Sequence, residues 1–285
     1  MFNNILIPIS SEFYSKDVIT QGAFLAEKFK STITLVYIIE EKTLAQTDRR
    51  SDAYRTQYER SETKNEIIRK HRLAADNIVF DDAKFILKNR DIPFIEKIAE
   101  GEFSKVIKSE IENNEYDLIL MGFEKECLLN YRLLDEVNIP VWVVAKNEGK
   151  SILAVCSNLA PNQKVPDMSL KLSEILNRDL NMLYVVDIED SVYVDKNCIR
   201  SDKKPERDLV FNGQNFAEEM KNKGVNVQLV KGSLEKEINK AAENLNPNLV
   251  IIGREQKKKG ILGIPVKNVK RKMAEKCNYS ILFVN

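Results

Sequence analysis

An internal repeat limits most strongly what this chain can fold into. The opening NNILIPIS returns after Gly149 as KSILAVCS, each a short apolar run ending in a serine. Measured from Ile5 and Ile152, Tyr37 and Tyr184 fall at the same offset, each 147 positions from its counterpart. Further on, IPFIEKIAEGEFSKVIKSEIENNEYDLILMG aligns with VNVQLVKGSLEKEINKAAENLNPNLVIIG, pairing Gly101 with Gly232 and Gly122 with Gly253 at a spacing of 131. The first half therefore carries 16 more residues between its second and third strands, within the charged segment 41–72. Each half closes on a last apolar run, VNIPVWVVA and CNYSILFVN.

Within a half, short β-branched runs alternate with amphipathic stretches in the order β-α-β-α-β-α-β-α-β. Strands apolar along their whole length suit a parallel sheet covered by helices on both faces. The expectation is an α/β chain of two tandem, doubly wound, Rossmann-like five-stranded sheets, each in the order 3-2-1-4-5. The domains are read as residues 1–147 and 150–285, joined by the short linker around Gly149. That order places a ligand crevice at the strand C-termini, near strands 1 and 4.

Composition narrows the function classes. Lys+Arg number 44 against Asp+Glu 43, so no global field draws the chain to nucleic acid or an anionic membrane. No apolar run approaches the twenty residues of a spanning helix, and the first apolar run is too short for a signal sequence; the expectation is a cytoplasmic chain. The four cysteines (Cys127, Cys156, Cys198 and Cys277) are scattered and read as isolated thiols, with Cys198 a candidate accessible one. His71 is the single histidine, which argues against a His-based triad, and no metal-ligand spacing surrounds it.

ILIPIS, the glycine-helix unit from Gly101 and DLILMG…NIPVWVVA resemble a universal stress protein domain, and ILAVCS, KGSLEKEI, NLVIIG and NYSILFV resemble it again. The resemblance implies the adenine-nucleotide alpha-hydrolase-like fold and an intrachain pseudo-dimer, two halves mimicking a dimer joined through the last strands. A homodimer of tandem chains is also open. In nucleotide-binding members strand 1 ends in an aspartate that contacts adenine. Strand 4 ends in the first glycine of a G-x-x-G-x9-G-S/T loop for ribose and phosphates. Glycines there let backbone N–H groups approach an anion at a helix N-terminus.

Both halves depart from that pattern. Ser10 and Ser157 stand in the aspartate position. After Gly122 comes Phe123-Glu124-Lys125-Glu126 without a second glycine, so the first site is read as non-binding. In the second half Gln256 replaces the second glycine, while Arg254 and three lysines precede Gly260, Gly263 and Pro265. The resemblance makes Ser157, Val185, Gly253, Lys257, Lys258, Lys259, Gly260, Gly263 and Asn268 the candidate set for ATP, ADP or AMP. The lysines would supply charge for the lost amides, and Asn268 would stand near the missing hydroxyl.

Two polar segments depart from the repeat. Residues 41–72 alternate charges at helical spacing and read as a solvated helix. Residues 187–207 read as a mobile surface loop, with a partner or lid segment over the strand C-termini as the alternative. Trp142, in the last strand of the first half, reads as a core residue. Three functions stay open: a non-catalytic stress-related protein that binds a protein partner through degenerate nucleotide sites; a nucleotide sensor using the C-terminal loop; and a slow ATPase, for which no clear catalytic pair is present.

Overall fold

A computed structural model describes residues 1–11, 13–40, 57–122, 137–197, 199–253 and 279–284. The chain divides into two compact units, Met1–Val144 and Ala145–Asn285.

In the first unit the element order is β1 (Asn4–Ser10), α1 (Lys16–Phe29), β2 (Thr32–Glu40), α2 (Gln57–Ala74), a π-helical turn (Ala75–Phe80) and α3 (Asp81–Lys88). Then follow β3 (Phe94–Gly101), α4 (Phe103–Asn113), β4 (Leu118–Gly122) and β5 (Val141–Val144). Its strands lie in the order β3-β2-β1-β4-β5. The paired strands run parallel, with Ile5 beside Ile33 on one side and Leu118 on the other. Consecutive residues Ile5, Leu6 and Ile7 are fully buried, as a central strand covered on both faces requires. Helix α1 buries Val18, Ile19, Gly22, Ala23, Leu25 and Ala26, one face at helical spacing. Gly22 lets that helix approach the sheet, because a β-carbon there would lie 2.6 Å from Ile7 Cδ1.

The described part of the 41–72 segment is helical from Gln57, and the helical path continues through residue 88. The π turn shifts the helical phase, and the chain then buries Val79 and Phe80 while Ile78 and Phe85 face outward. Trp142 is buried in β5, a core position as the sequence suggests.

The second unit repeats the plan with β6 (Ser151–Ser157), α5 (Lys164–Leu176), β7 (Asp179–Asp187), α6 (Glu206–Asn222), β8 (Val227–Gly232), α7 (Leu234–Leu245), β9 (Leu249–Gly253) and β10 (Ser280–Val284). Its order, β8-β7-β6-β9-β10, is again 3-2-1-4-5. Helices α5 and α7 end on Asn177 and Asn246 in the left-handed conformation, where asparagine is tolerated in place of glycine. Cys156 is buried in β6, and burial pushes its thiol pKa up, as for an unreactive core thiol. Among the described residues no helix is long and apolar enough to cross a membrane.

Candidate functional site

In each unit the parallel order brings the ends of strands 1, 2 and 4 together at one edge. What fills that edge decides what it can bind.

In the first unit, β1 turns back on itself immediately after Ser10. The Phe13 amide donates to the Ser10 carbonyl at 3.2 Å, and the Ser11 amide to Ile38 O at 2.8 Å. This turn sets the Phe13 ring over Gly122, where a β-carbon would come within 3.0 Å of Phe13 Cε1 and 2.8 Å of Val18 Cγ2. The Ser10 hydroxyl donates to Glu40 Oε1 at 2.6 Å, and Ser11 Oγ accepts the Glu40 amide at 3.1 Å. Glu40 itself is buried. The turn is tied to α3 through Asp82, which accepts from Tyr14 Oη at 2.8 Å and Lys16 Nζ at 2.6 Å. Those hydrogen bonds, Lys16's first and then Tyr14's, hold the Asp82 carboxyl below its ordinary range. Burial, together with Asp82, pushes the Tyr14 phenol up. On the face carrying α1, the Tyr37 hydroxyl lies 3.4 Å from His71 Nδ1.

The second unit closes the same edge differently. Ser157 is buried; its Oγ accepts the Leu159 amide at 3.2 Å, and its main chain is bonded on both sides by the Asn162 side chain. Val185 sits beside Ser157 in the β6–β7 register and is 0% exposed. Above Gly253, a β-carbon would meet Ala160 Cβ at 3.3 Å. Asn158 is fully buried and holds three main-chain groups with its side chain. Its Oδ1 accepts the Asp187 amide at 2.6 Å, and its Nδ2 donates to Asp187 O at 3.1 Å and to Val192 O at 2.6 Å. The Asp187 carboxylate accepts the amides of Glu189 and Asp190, both at 3.0 Å, and that of Leu234 in the first turn of α7 at 2.8 Å. An anion at a helix N-terminus is favourable, and here the protein's own side chain supplies it.

The described residues after Asp187 are bonded to the rest of the unit. They fold back over the end of β6 as a strap. The Val194 amide donates to Asn158 O at 2.9 Å, and Val192 and Val194 are both buried. Residues 193–195 pair with 199–201 through Ser201 N to Tyr193 O (2.8 Å) and Asp195 N to Ile199 O (3.0 Å). The polar composition of the segment concealed this, because the burial rests on two valines and on bonds made by Asn158.

Of the residues predicted from sequence, the fold brings Ser157, Val185 and Gly253 to one edge. Lys257, Lys258, Lys259, Gly260, Gly263 and Asn268 lie outside the described residues, as does Cys198. Sequence reasoning missed Asn158 and Asp187. The signal was present: they stand 147 positions after Ser11 and Glu40, and in both units the side-chain oxygen of the first residue accepts the amide of the second. Among the described residues no cluster of metal-binding side chains occurs.

A doubly wound α/β repeat with strand order 3-2-1-4-5 defines the class. The profile of the Universal stress protein family matches residues 1–145. The chain belongs to that family. Among solved structures, a universal stress protein from Archaeoglobus fulgidus superposes with a TM-score of 0.64 at 12% identity, covering 98% of both chains. A putative universal stress protein from Pseudomonas aeruginosa gives 0.67 at 12% identity, over 99% of this chain and 93% of that one. At such identity the likeness concerns the fold. Comparison with curated proteins by sequence found no match.

Proposed function

We propose that this chain is a non-catalytic, cytoplasmic universal stress protein that acts in the stress response by binding a protein partner, its two nucleotide sites having degenerated. The observation that carries the reading is the state of the strand 1 ends. Each serine that replaces an aspartate there has its hydroxyl engaged internally, Ser10 with Glu40 and Ser157 with the Leu159 amide. Neither half offers a free carboxylate to adenine at this position. Phe13 lies over Gly122, and Val185 is without exposed surface.

Thermal unfolding with and without millimolar ATP or AMP tests this. A ligand present at a hundred times its Kd stabilises its binder by about 2.7 kcal/mol, which moves a melting curve plainly. The expected result is no shift. A shift that disappears when Lys257, Lys258 and Lys259 are changed together to alanine would overturn the reading in favour of a C-terminal nucleotide sensor.

A further inference from the structure

The two units share one register along their outer strand pairs but differ at the foot of those pairs. Leu183 stands beside Gln228 as Val36 stands beside Lys97, so the counterparts lie 147 and 131 positions apart, as the repeat requires. In the first unit the ladder between β2 and β3 begins at Ile33 and Phe94, and the Ile33 amide donates to Pro93 O at 3.0 Å. In the second unit the ladder begins only at Met182 and Val227, the counterparts of Leu35 and Glu96. The bond that would match Ile33 to Pro93, from Leu180 to Gly224, is not made among the described residues. The pair β7–β8 is therefore open at its N-terminal end, and a cleft of about 690 Å³ occupies the opening. Clefts that take up small molecules span about 300–1,000 Å³.

A charged network occupies the corresponding place in the first unit. Glu110 accepts from Lys97 Nζ, from Tyr116 Oη at 2.6 Å and from Asn114 Nδ2 at 3.1 Å. The offset of 131 sets Gln228 in place of Lys97, Ala241 of Glu110, Leu245 of Asn114 and Pro247 of Tyr116. Every ionisable side chain of the network is thereby replaced, and the phenol ring is gone. Gln228 and Leu245 line the cleft, together with Asn181 and Asn226. Gln228 pairs with Leu183, so Asn181, two positions before Leu183, shares its face of the sheet. The carboxamides of Asn181, Asn226 and Gln228 have no hydrogen-bond partner among the described residues. Leu180, Met182 and Val227 supply apolar walls, and among the described residues no charged side chain lines the cleft.

The geometry points to a binding site at the foot of β7 and β8 for a small uncharged heterocycle with an amide-type edge. Such a ring carries N–H and C=O side by side, as a lactam or a pyrimidine base does. Each carboxamide offers both donors and an acceptor, and Asn and Gln side chains match edges of this kind with paired hydrogen bonds. The body of the ring rests on the apolar walls. Charge is selected against, because an ion entering the cleft gives up hydration and meets no opposite charge. The site lies at the opposite end of the strands from Ser157 and Gly253, the last residues of β6 and β9. It goes beyond the partner-binding reading and does not depend on it.

The test titrates the full isotope-labelled chain with uracil and, separately, with δ-valerolactam, followed by amide NMR. The expected result is saturable shifts of the Leu180 and Asn226 amides and of the side-chain amides of Asn181 and Gln228. Saturation by uracil alone assigns the site to pyrimidine-type rings, and saturation by the lactam alone to simple cyclic amides. Uracil methylated on both ring nitrogens, which has lost its donors, and orotate, which adds a carboxylate to the same ring, should give no saturable shift. Asn181→Leu/Gln228→Leu should weaken binding at least about tenfold. Building the first unit's network into the cleft, with Gln228→Lys/Ala241→Glu/Pro247→Tyr, should abolish it. If that triple variant does not fold, Leu245→Trp fills the cleft from an exposed position on its rim and serves instead. Absence of saturable shifts with both rings overturns the inference. So does orotate binding as tightly as uracil, or binding unchanged in Asn181→Leu/Gln228→Leu. None of these results touches the melting test with ATP, whose overturning signal is one removed by changing Lys257, Lys258 and Lys259.

Discussion

At the scale of single residues, the first unit closes its strand-end edge with an ion pair whose strength depends on pH. Asp82 receives Lys16 and Tyr14, and its carboxyl pKa is lowered by both. A group depressed on folding contributes stability above its unfolded pKa and loses it as pH falls through the folded value. Asp82→Asn should therefore lower the urea midpoint at pH 7 relative to the native chain. The difference should begin to shrink as the pH falls below the ordinary carboxylate range of about 4 and vanish only below the lowered value of folded Asp82, where the native side chain is also neutral. Lys16 is more than half exposed, so solvent screens the pair and the effect is small. A difference that grew toward acid pH would contradict the assignment. Nothing in the sequence announced this triad, because Tyr14 and Asp82 stand 68 positions apart and meet only through the fold.

At the scale of elements, the strands, their order and the helix of the 41–72 segment were legible, and the connection after β7 was not. Strands report themselves through apolar runs that any register of a buried sheet requires, and the repeat checked each one against its counterpart. The offset of 147 shared by Ile5/Ile152 and Tyr37/Tyr184 placed β1, β2, β6 and β7 together. The connection after β7 carries no such period. The strap looked like solvent-exposed chain because ten of the residues from 188 to 207 are charged, yet two valines and Asn158 decide its place. The carboxylate of Asp187 is the element that holds β7, the strap and α7 together. Asp187→Ala would leave the amides of Glu189, Asp190 and Leu234 without their acceptor. Hydrogen bonds to charged groups contribute about 1.5–3 kcal/mol, so amide exchange should rise at those three positions while exchange within β6 stays slow. Unchanged exchange at Leu234 would show that α7 does not depend on this cap.

At the scale of the whole molecule, the two units keep one scaffold and have closed the same edge by different means. The candidate site was legible only as a position: the sequence located Ser157, Val185 and Gly253 at strand ends, but not the residues that cover them. Covering depends on side chains from the turn after strand 1, and those differ between halves, Phe13 in one and Ala160 in the other. The paired glycines at the ends of β4 and β9 measure the difference. At Gly122 an added methyl would stand 2.8 Å from Val18 Cγ2 and 3.0 Å from Phe13 Cε1, so packed side chains must move. At Gly253 its nearest neighbour is Ala160 Cβ at 3.3 Å, a contact that a few tenths of an ångström relieve. Overpacking a filled site costs about 1–3 kcal/mol. Gly122→Ala should fall in that range by urea denaturation, and Gly253→Ala should cost clearly less. Were the first edge an open crevice, a methyl group at Gly122 would meet solvent and the two substitutions would be equally mild. An equal, small cost at both positions would thus reopen the first unit as a ligand site, whereas the unequal pair is the outcome expected of an edge filled by Val18 and Phe13 together.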